Sequence, residues 1–192
     1  MPTPPDAPTA LDVDRSAAWD RAQTFAEFLP TAEDNVDLWE QNYSRARIPQ
    51  DLADRAASAV GEWRLLVLSE DWCGDAANTV PVLAAFAEAV PNLDLRVLAR
   101  DENLDLMDEH LTGSSRSIPV VMVLDGDGVE RGWWGPRPAD LQAWVLGPAG
   151  QALEKDDRYR EVRKWYVRDR GRTTVADVVG IIERAAGAGT LG

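Results

Sequence analysis

Cysteine and histidine are nearly missing from this chain of 192 residues, which has one of each, Cys73 and His110. A single cysteine excludes an intramolecular disulfide and any zinc site built from several thiolates. A single histidine excludes multi-histidine metal centres and argues against a histidine-based triad. Basic charge is scarce too: 20 Lys and Arg stand against 33 Asp and Glu, a formal net charge of −13. That balance speaks against a nucleic-acid groove or an anionic membrane surface, both of which attract basic proteins. The one basic stretch, residues 158–172, is interleaved with acids. No apolar run approaches the roughly 20 residues that span a bilayer. The N-terminal MPTPPDAPTALDVD lacks the basic and apolar regions of a signal peptide. The expected compartment is the cytoplasm, with no nucleic-acid or membrane partner and no metal or other cofactor.

The length suits one domain with extensions. Residues 1–10 hold four prolines and little that could pack, and are expected to form a flexible tail. A helical extension should occupy 11–60. Its first helix would carry Ala18, Ala22, Phe25, Ala26 and Leu29 on one face and stop at Pro30. Thr31 with Asp34 reads as a capping pair for a second helix through Val36, Trp39 and Tyr43. A third runs from about Pro49 through Leu52, Ala56 and Val60.

The core should lie at 61–150. Residues 64–69 form a nearly continuous apolar run, the signature of a strand buried on both faces. An alanine-rich helix follows to about Val90, then a strand at 93–98 and a helix at 102–111. Here Asp101 or Asn103 would supply the cap, and His110 would sit at the surface near the helix end. Residues 120–124 and 129–134 flank Asp125-Gly-Asp-Gly128, a hairpin turn. A helix at 139–146 completes a βαβαββα order, a mixed α/β sheet. Residues 151–192 should form C-terminal helices packed on the core. The first carries Tyr159, Val162, Trp165 and Tyr166 as its stripe, and the second is capped by Thr173 or Thr174.

Chemistry concentrates at Cys73, between a buried strand and a helix start. Unpaired N–H groups of the first turn and the helix dipole favour an anion there, hence thiolate over thiol. Three acids, Glu70, Asp71 and Asp75, crowd the same sulfur. A carboxylate some 6 Å away in water costs a thiolate about 0.7 kcal/mol, so a moderate nucleophile is expected. Arg116 or Arg137 would offset the acids if folded nearby. Asp71 and Asp75 as a metal pair would lack histidine partners.

Trp72-Cys73-Gly74 resembles the start of the W-C-G-P-C motif of the thioredoxin superfamily. Pro81, eight residues after Cys73, and Arg116-Ser-Ile-Pro119 fall where that family has its helix-kinking proline and its cis-proline. Gly135 follows in the family's order. The resemblance covers residues 60–147. The strings S-E-D-W-C-G-D-A, R-D-E-N-L-D-L-M-D, R-S-I-P and W-G-P-R are similar to a bacterial thioredoxin-like subfamily with the same helical flanks. It implies a thioredoxin-like fold and a nucleophilic Cys73. Trp72, Gly74, Asp75, Ile118 and Pro119 would line the substrate site, with Ile118 and Val120 presenting backbone groups. Trp133 and Trp134 would wall the groove. Three departures matter. Ala76 stands where a resolving cysteine would be, Val67 replaces a buried acid, and Asp75 replaces the loop proline.

The resemblance therefore implies a monothiol exchange with a protein or low-molecular-weight thiol or disulfide. A non-catalytic binding module and a single-cysteine redox sensor are the alternatives.

Overall fold

The computed structural model describes residues 13–189, so the proline-rich tail at 1–10 lies outside the described residues. Along the chain run α1 (Ser16–Arg21), β1 (Gln23–Thr24), α2 (Phe25–Phe28), α3 (Val36–Ser44) and α4 (Gln50–Ser58). Then come β2 (Trp63–Ser69), α5 (Gly74–Ala89), β3 (Leu93–Ala99) and α6 (Leu104–Asp108). After these follow β4 (Val120–Asp125), β5 (Glu130–Trp134), α7 (Ala139–Leu146), α8 (Pro148–Gln151), α9 (Lys155–Asp169) and α10 (Arg172–Gly189). None of the described helices is long and apolar enough to cross a membrane.

The apolar run at 64–69 forms the middle of a five-stranded sheet ordered β1-β3-β2-β4-β5. Leu65, Leu66, Val67 and Leu68 are wholly buried, as an unbroken apolar strand requires. β2 pairs in parallel with β3, across the α5 crossover, and antiparallel with β4. β4 and β5 form the hairpin, where the Asp125 side chain accepts from the N–H groups of Asp127 and Val129. The sheet is mixed, α/β and thioredoxin-like. From α10, Val175, Val178, Val179 and Ile182 are fully buried in the same core.

The N-terminal segment departs from the single helix expected at 18–29. The chain turns extended at Ala22, and Gln23 and Thr24 pair with Val97 and Arg96 on the open edge of β3. Thr24 then opens α2 through a capping box with Glu27, which is why a new helix starts there. At the opposite edge Asp14 bridges to Val129, beside β5. One segment thus pairs at both edges of the sheet, over two residues of β3 and at a single bridge beside the start of β5. Between the two edges, Trp19 of α1 lies under the guanidinium groups of Arg96, at 4.8 Å, and Arg64, at 5.4 Å.

Several local expectations are corrected. Thr31 donates back to the Phe28 carbonyl, and α3 starts at Asn35, which sits in the left-handed region without a side-chain cap. Val60 lies beyond the end of α4 and is exposed. The helix expected at 102–111 shortens to a turn of 3-10 helix and α6. Neither Asp101 nor Asn103 caps it, because the Asn103 amide donates to the Ala99 carbonyl and its oxygen accepts from Arg21. The early end of α6 lets His110 turn inward. It is fully buried between the Leu106 carbonyl and Glu130, each at 2.8 Å. On α9 the buried stripe is Val162 and Tyr166, while Tyr159 is exposed. The last helix begins at Arg172, and the Asp169 carboxylate, rather than a threonine hydroxyl, accepts the Thr173 N–H.

Candidate functional site

The loop between β2 and α5 is fixed by its neighbours. The Glu70 carboxylate accepts the Asp101 N–H at 2.8 Å. The Asp71 carboxylate accepts the N–H groups of Glu33, at 2.8 Å, and Asp34, at 3.1 Å. Partial burial raises the Asp71 pKa, but these backbone donors outweigh it and hold the group below the ordinary carboxylate value. The Asp71 carbonyl accepts from the Asn35 amide and from Trp39 Nε1, each at 3.0 Å. Helix α3 and the turn before it therefore clasp the loop that precedes the thiol. Trp39→Phe deletes the Nε1 donor and, because Trp39 is fully buried, leaves a cavity where the second ring of the indole packed. It should cost about 2–3 kcal/mol in a urea titration and speed amide exchange at residues 70–72.

Trp72 is 48% exposed, and the Arg100 guanidinium lies 5.0 Å from its ring centroid. Arg100 is itself anchored on the Arg116 carbonyl at 3.1 Å. Trp133 and Trp134, expected to wall the groove, face other partners. Trp133 packs edge-on against His110, and Trp134 Nε1 donates to Asp177 on α10.

Cys73 is the N-cap of the sixteen-residue helix α5, and its side chain makes no capping hydrogen bond. The residue is 9% exposed, and its Sγ lies 3.5 Å from the Ile118 carbonyl oxygen, which accepts the S–H. The Ile118–Pro119 and Gly135–Pro136 bonds are both cis. Gly135 holds the Pro119 segment in place. Its φ is +137°, and a Cβ there would lie 2.1 Å from the Pro119 carbonyl oxygen, so no other residue fits. At Gly74, by contrast, a Cβ would meet nothing within 4 Å, which leaves the approach over the first residue of α5 open.

Burial is the main influence on the thiol and pushes its pKa up. The Asp75 charge adds to this, while the N–H groups of Ala76 and Asp75 and the Arg137 charge oppose it. The net direction is upward from the ordinary value of 9.0. Sequence reasoning expected three acids to crowd the sulfur. Glu70 and Asp71 are instead bonded to the backbone of adjoining segments, and desolvation exceeds any charge effect. Of the two candidate arginines, Arg137 bears on the sulfur, whereas Arg116 pairs with Asp108 at the surface.

Asp75 is 8% exposed. Its Oδ1 accepts from Arg137 Nε at 2.9 Å and from the Tyr166 hydroxyl at 2.8 Å; its Oδ2 accepts from Arg137 Nη2 at 2.5 Å. Arg137 also donates to Gln142 at 2.8 Å. Tyr166 reads in sequence only as part of an apolar stripe, and its hydroxyl was the one sign of a polar task. Ala76 and Val67, the departures from a dithiol site, are both fully buried. The structure thus gathers Cys73, Gly74, Asp75, Ile118 and Pro119, and turns Trp72 towards Arg100. Among the described residues no group of three or more His, Cys, Asp or Glu could hold a metal ion.

A family model described as thioredoxin matches residues 22–161. The fold is similar to that of a protein of unknown function from Pseudomonas aeruginosa, with a TM-score of 0.72 at 22% identity. That alignment covers 90% of this chain and 99% of the other. It is also similar to an HIV epitope-scaffold, with a TM-score of 0.67 at 22% identity, covering 89% and 98%. At such identities the two structures speak to fold alone. A search of curated proteins returns no match. With the thiol at a helix N-cap, the mixed sheet and a family match over most of its length, this chain belongs to the thioredoxin family.

Proposed function

We propose that the protein performs monothiol thiol–disulfide exchange through Cys73, with an external thiol completing the cycle. The observation that carries this is the seat of the sulfur, at the N-cap of α5 and against the Ile118–Pro119 backbone. The Cys73 thiolate attacks one sulfur of a disulfide RSSR′, forming a Cys73–SR mixed disulfide and releasing R′S⁻. A second thiolate, R″S⁻, then attacks that mixed disulfide, forming RSSR″ and returning the Cys73 thiolate. The resolving thiol must be external because the chain has no second cysteine. A cytoplasmic low-molecular-weight thiol or a partner protein's cysteine fills that role.

The raised thiol pKa has a direct consequence. Alkylation of Cys73 by iodoacetamide should be slow at pH 7 and rise steeply only above the ordinary value of 9.0. The linkage sign follows: an acid whose pKa is raised by folding supports the fold below its unfolded value. That support is lost as pH rises through the folded value. Incubation with glutathione disulfide and intact-mass measurement tests the exchange. A Cys73 adduct that forms, is released by added thiol, and is absent in Cys73→Ser is the expected result. No adduct at pH 9 or above would sink the proposal.

The small exposure and raised pKa of the thiol favour a second reading, a binding module whose groove at Pro119 holds a partner without covalent chemistry. Under that reading Cys73→Ser would retain partner capture in full.

A further inference from the structure

We infer that Tyr166 and Arg137 are positioning residues for Cys73, holding the Asp75 carboxylate away from the first turn of α5 so that its N–H groups remain available to the sulfur. The biological use of this clamp rests on the exchange proposed above, although the geometry concerns the thiol itself. An aspartate in the first turn of a helix ordinarily turns towards the free N–H groups there, which are short of acceptors. In α5 that does not happen, and the N-cap side chain, that of Cys73, makes no capping hydrogen bond.

Both Asp75 oxygens are engaged elsewhere, by two donors from Arg137 and one from Tyr166. The guanidinium fork fixes the plane of the carboxylate, and the hydroxyl takes a remaining lone pair. Asp75 and Tyr166 are buried, at 8% and 4% exposed, and Arg137 is partly buried. Tyr166 is held in turn by Leu141 and Val162, with Trp165 packed edge-on against its ring at 5.6 Å. Phenylalanine would satisfy that apolar packing. Among the described residues the hydroxyl donates to Asp75.

Two N–H groups of the first turn, those of Ala76 and Asp75, favour the thiolate. The charged and titratable groups that bear on the sulfur are Asp75 from α5, Arg137 from the segment before α7 and Tyr166 from α9. Burial first, and then the Asp75 charge, drive the Tyr166 pKa well above its ordinary value, so it remains a proton donor. Loss of a donor would let Asp75 swing towards the helix N–H groups. The thiolate would then lose its own donors and gain a nearer negative charge.

The test is the pH profile of Cys73 alkylation by iodoacetamide in the full chain. Tyr166→Phe should slow alkylation at fixed pH by roughly threefold to tenfold and move the profile to higher pH. Asp75→Ala should speed it. The double variant should match Asp75→Ala, because without the carboxylate the hydroxyl has nothing to hold. Arg137→Lys keeps the cation but cannot grip both oxygens, and should slow alkylation as Tyr166→Phe does. An unmoved profile in Tyr166→Phe and Arg137→Lys overturns the inference. So does an equal slowing by Tyr166→Phe in the Asp75→Ala background, since Tyr166 would then act through packing. Alkylation reads the thiol and not exchange. If the variants show the expected alkylation pattern while glutathione disulfide gives no adduct, exchange fails and the clamp stands; the converse result removes the clamp alone.

Discussion

Glu130→Ala is expected to lower the stability of the fold by about 3–5 kcal/mol. Glu130 is fully buried on β5, with Arg15 Nε 2.8 Å from Oε2 and His110 Nε2 2.8 Å from Oε1. Its own N–H donates to the Val13 carbonyl. Truncation leaves the buried Arg15 guanidinium with Glu109 as its acidic partner and strips an acceptor or donor from the His110 ring. Removing one member of a buried charged network costs far more than the intact network contributes, because the survivors remain desolvated. A lower urea midpoint with an unchanged slope is the expected readout. Faster amide exchange at Arg15, whose N–H bonds the Gly128 carbonyl, should accompany it. A loss below about 1 kcal/mol would mean that Arg15 transfers wholly to Glu109, and the network would then not be what fastens the N-terminal segment to the sheet.

Gly135→Ala should be comparably severe, at about 3–5 kcal/mol, and should also change the thiol. Two costs add: a side chain at φ +137°, and a Cβ 2.1 Å from the Pro119 carbonyl oxygen and 3.1 Å from its carbon. The collision is with backbone, so no rotamer relieves it. The Pro119 segment must shift, and with it the Ile118 carbonyl that accepts the Cys73 S–H. Thermal unfolding should show the loss of stability. Alkylation of Cys73 should become faster as its cover lifts. A variant of wild-type stability with an unaltered alkylation rate would remove Gly135 from the account of the site.

Much of the site was readable because its signals are local. The apolar run of β2, the turn into Cys73 and the helix after it are set by residues within a few positions of one another. Elsewhere the local signal misled. Ala18, Ala22 and Phe25 fit one helical face, but the open edge of β3 draws Gln23 and Thr24 into pairing. His110 looked like a helix-end surface residue, yet Glu130, twenty residues on, supplies a buried partner.

The sequence by itself determined the βαβαββα core, the place of Cys73 at a helix start and the impossibility of a dithiol cycle. Periodicity, turn chemistry and residue counts suffice for these. Only the tertiary structure decided how the thiol is tuned. Asp75 pairs with Arg137 and Tyr166 across separations of 62 and 91 residues, and the sulfur is shielded by a segment 45 residues away. Burial and long-range partners exist only once helices and sheet have packed. Desolvation, the largest influence on Cys73, is a property of that packing and not of any stretch of chain.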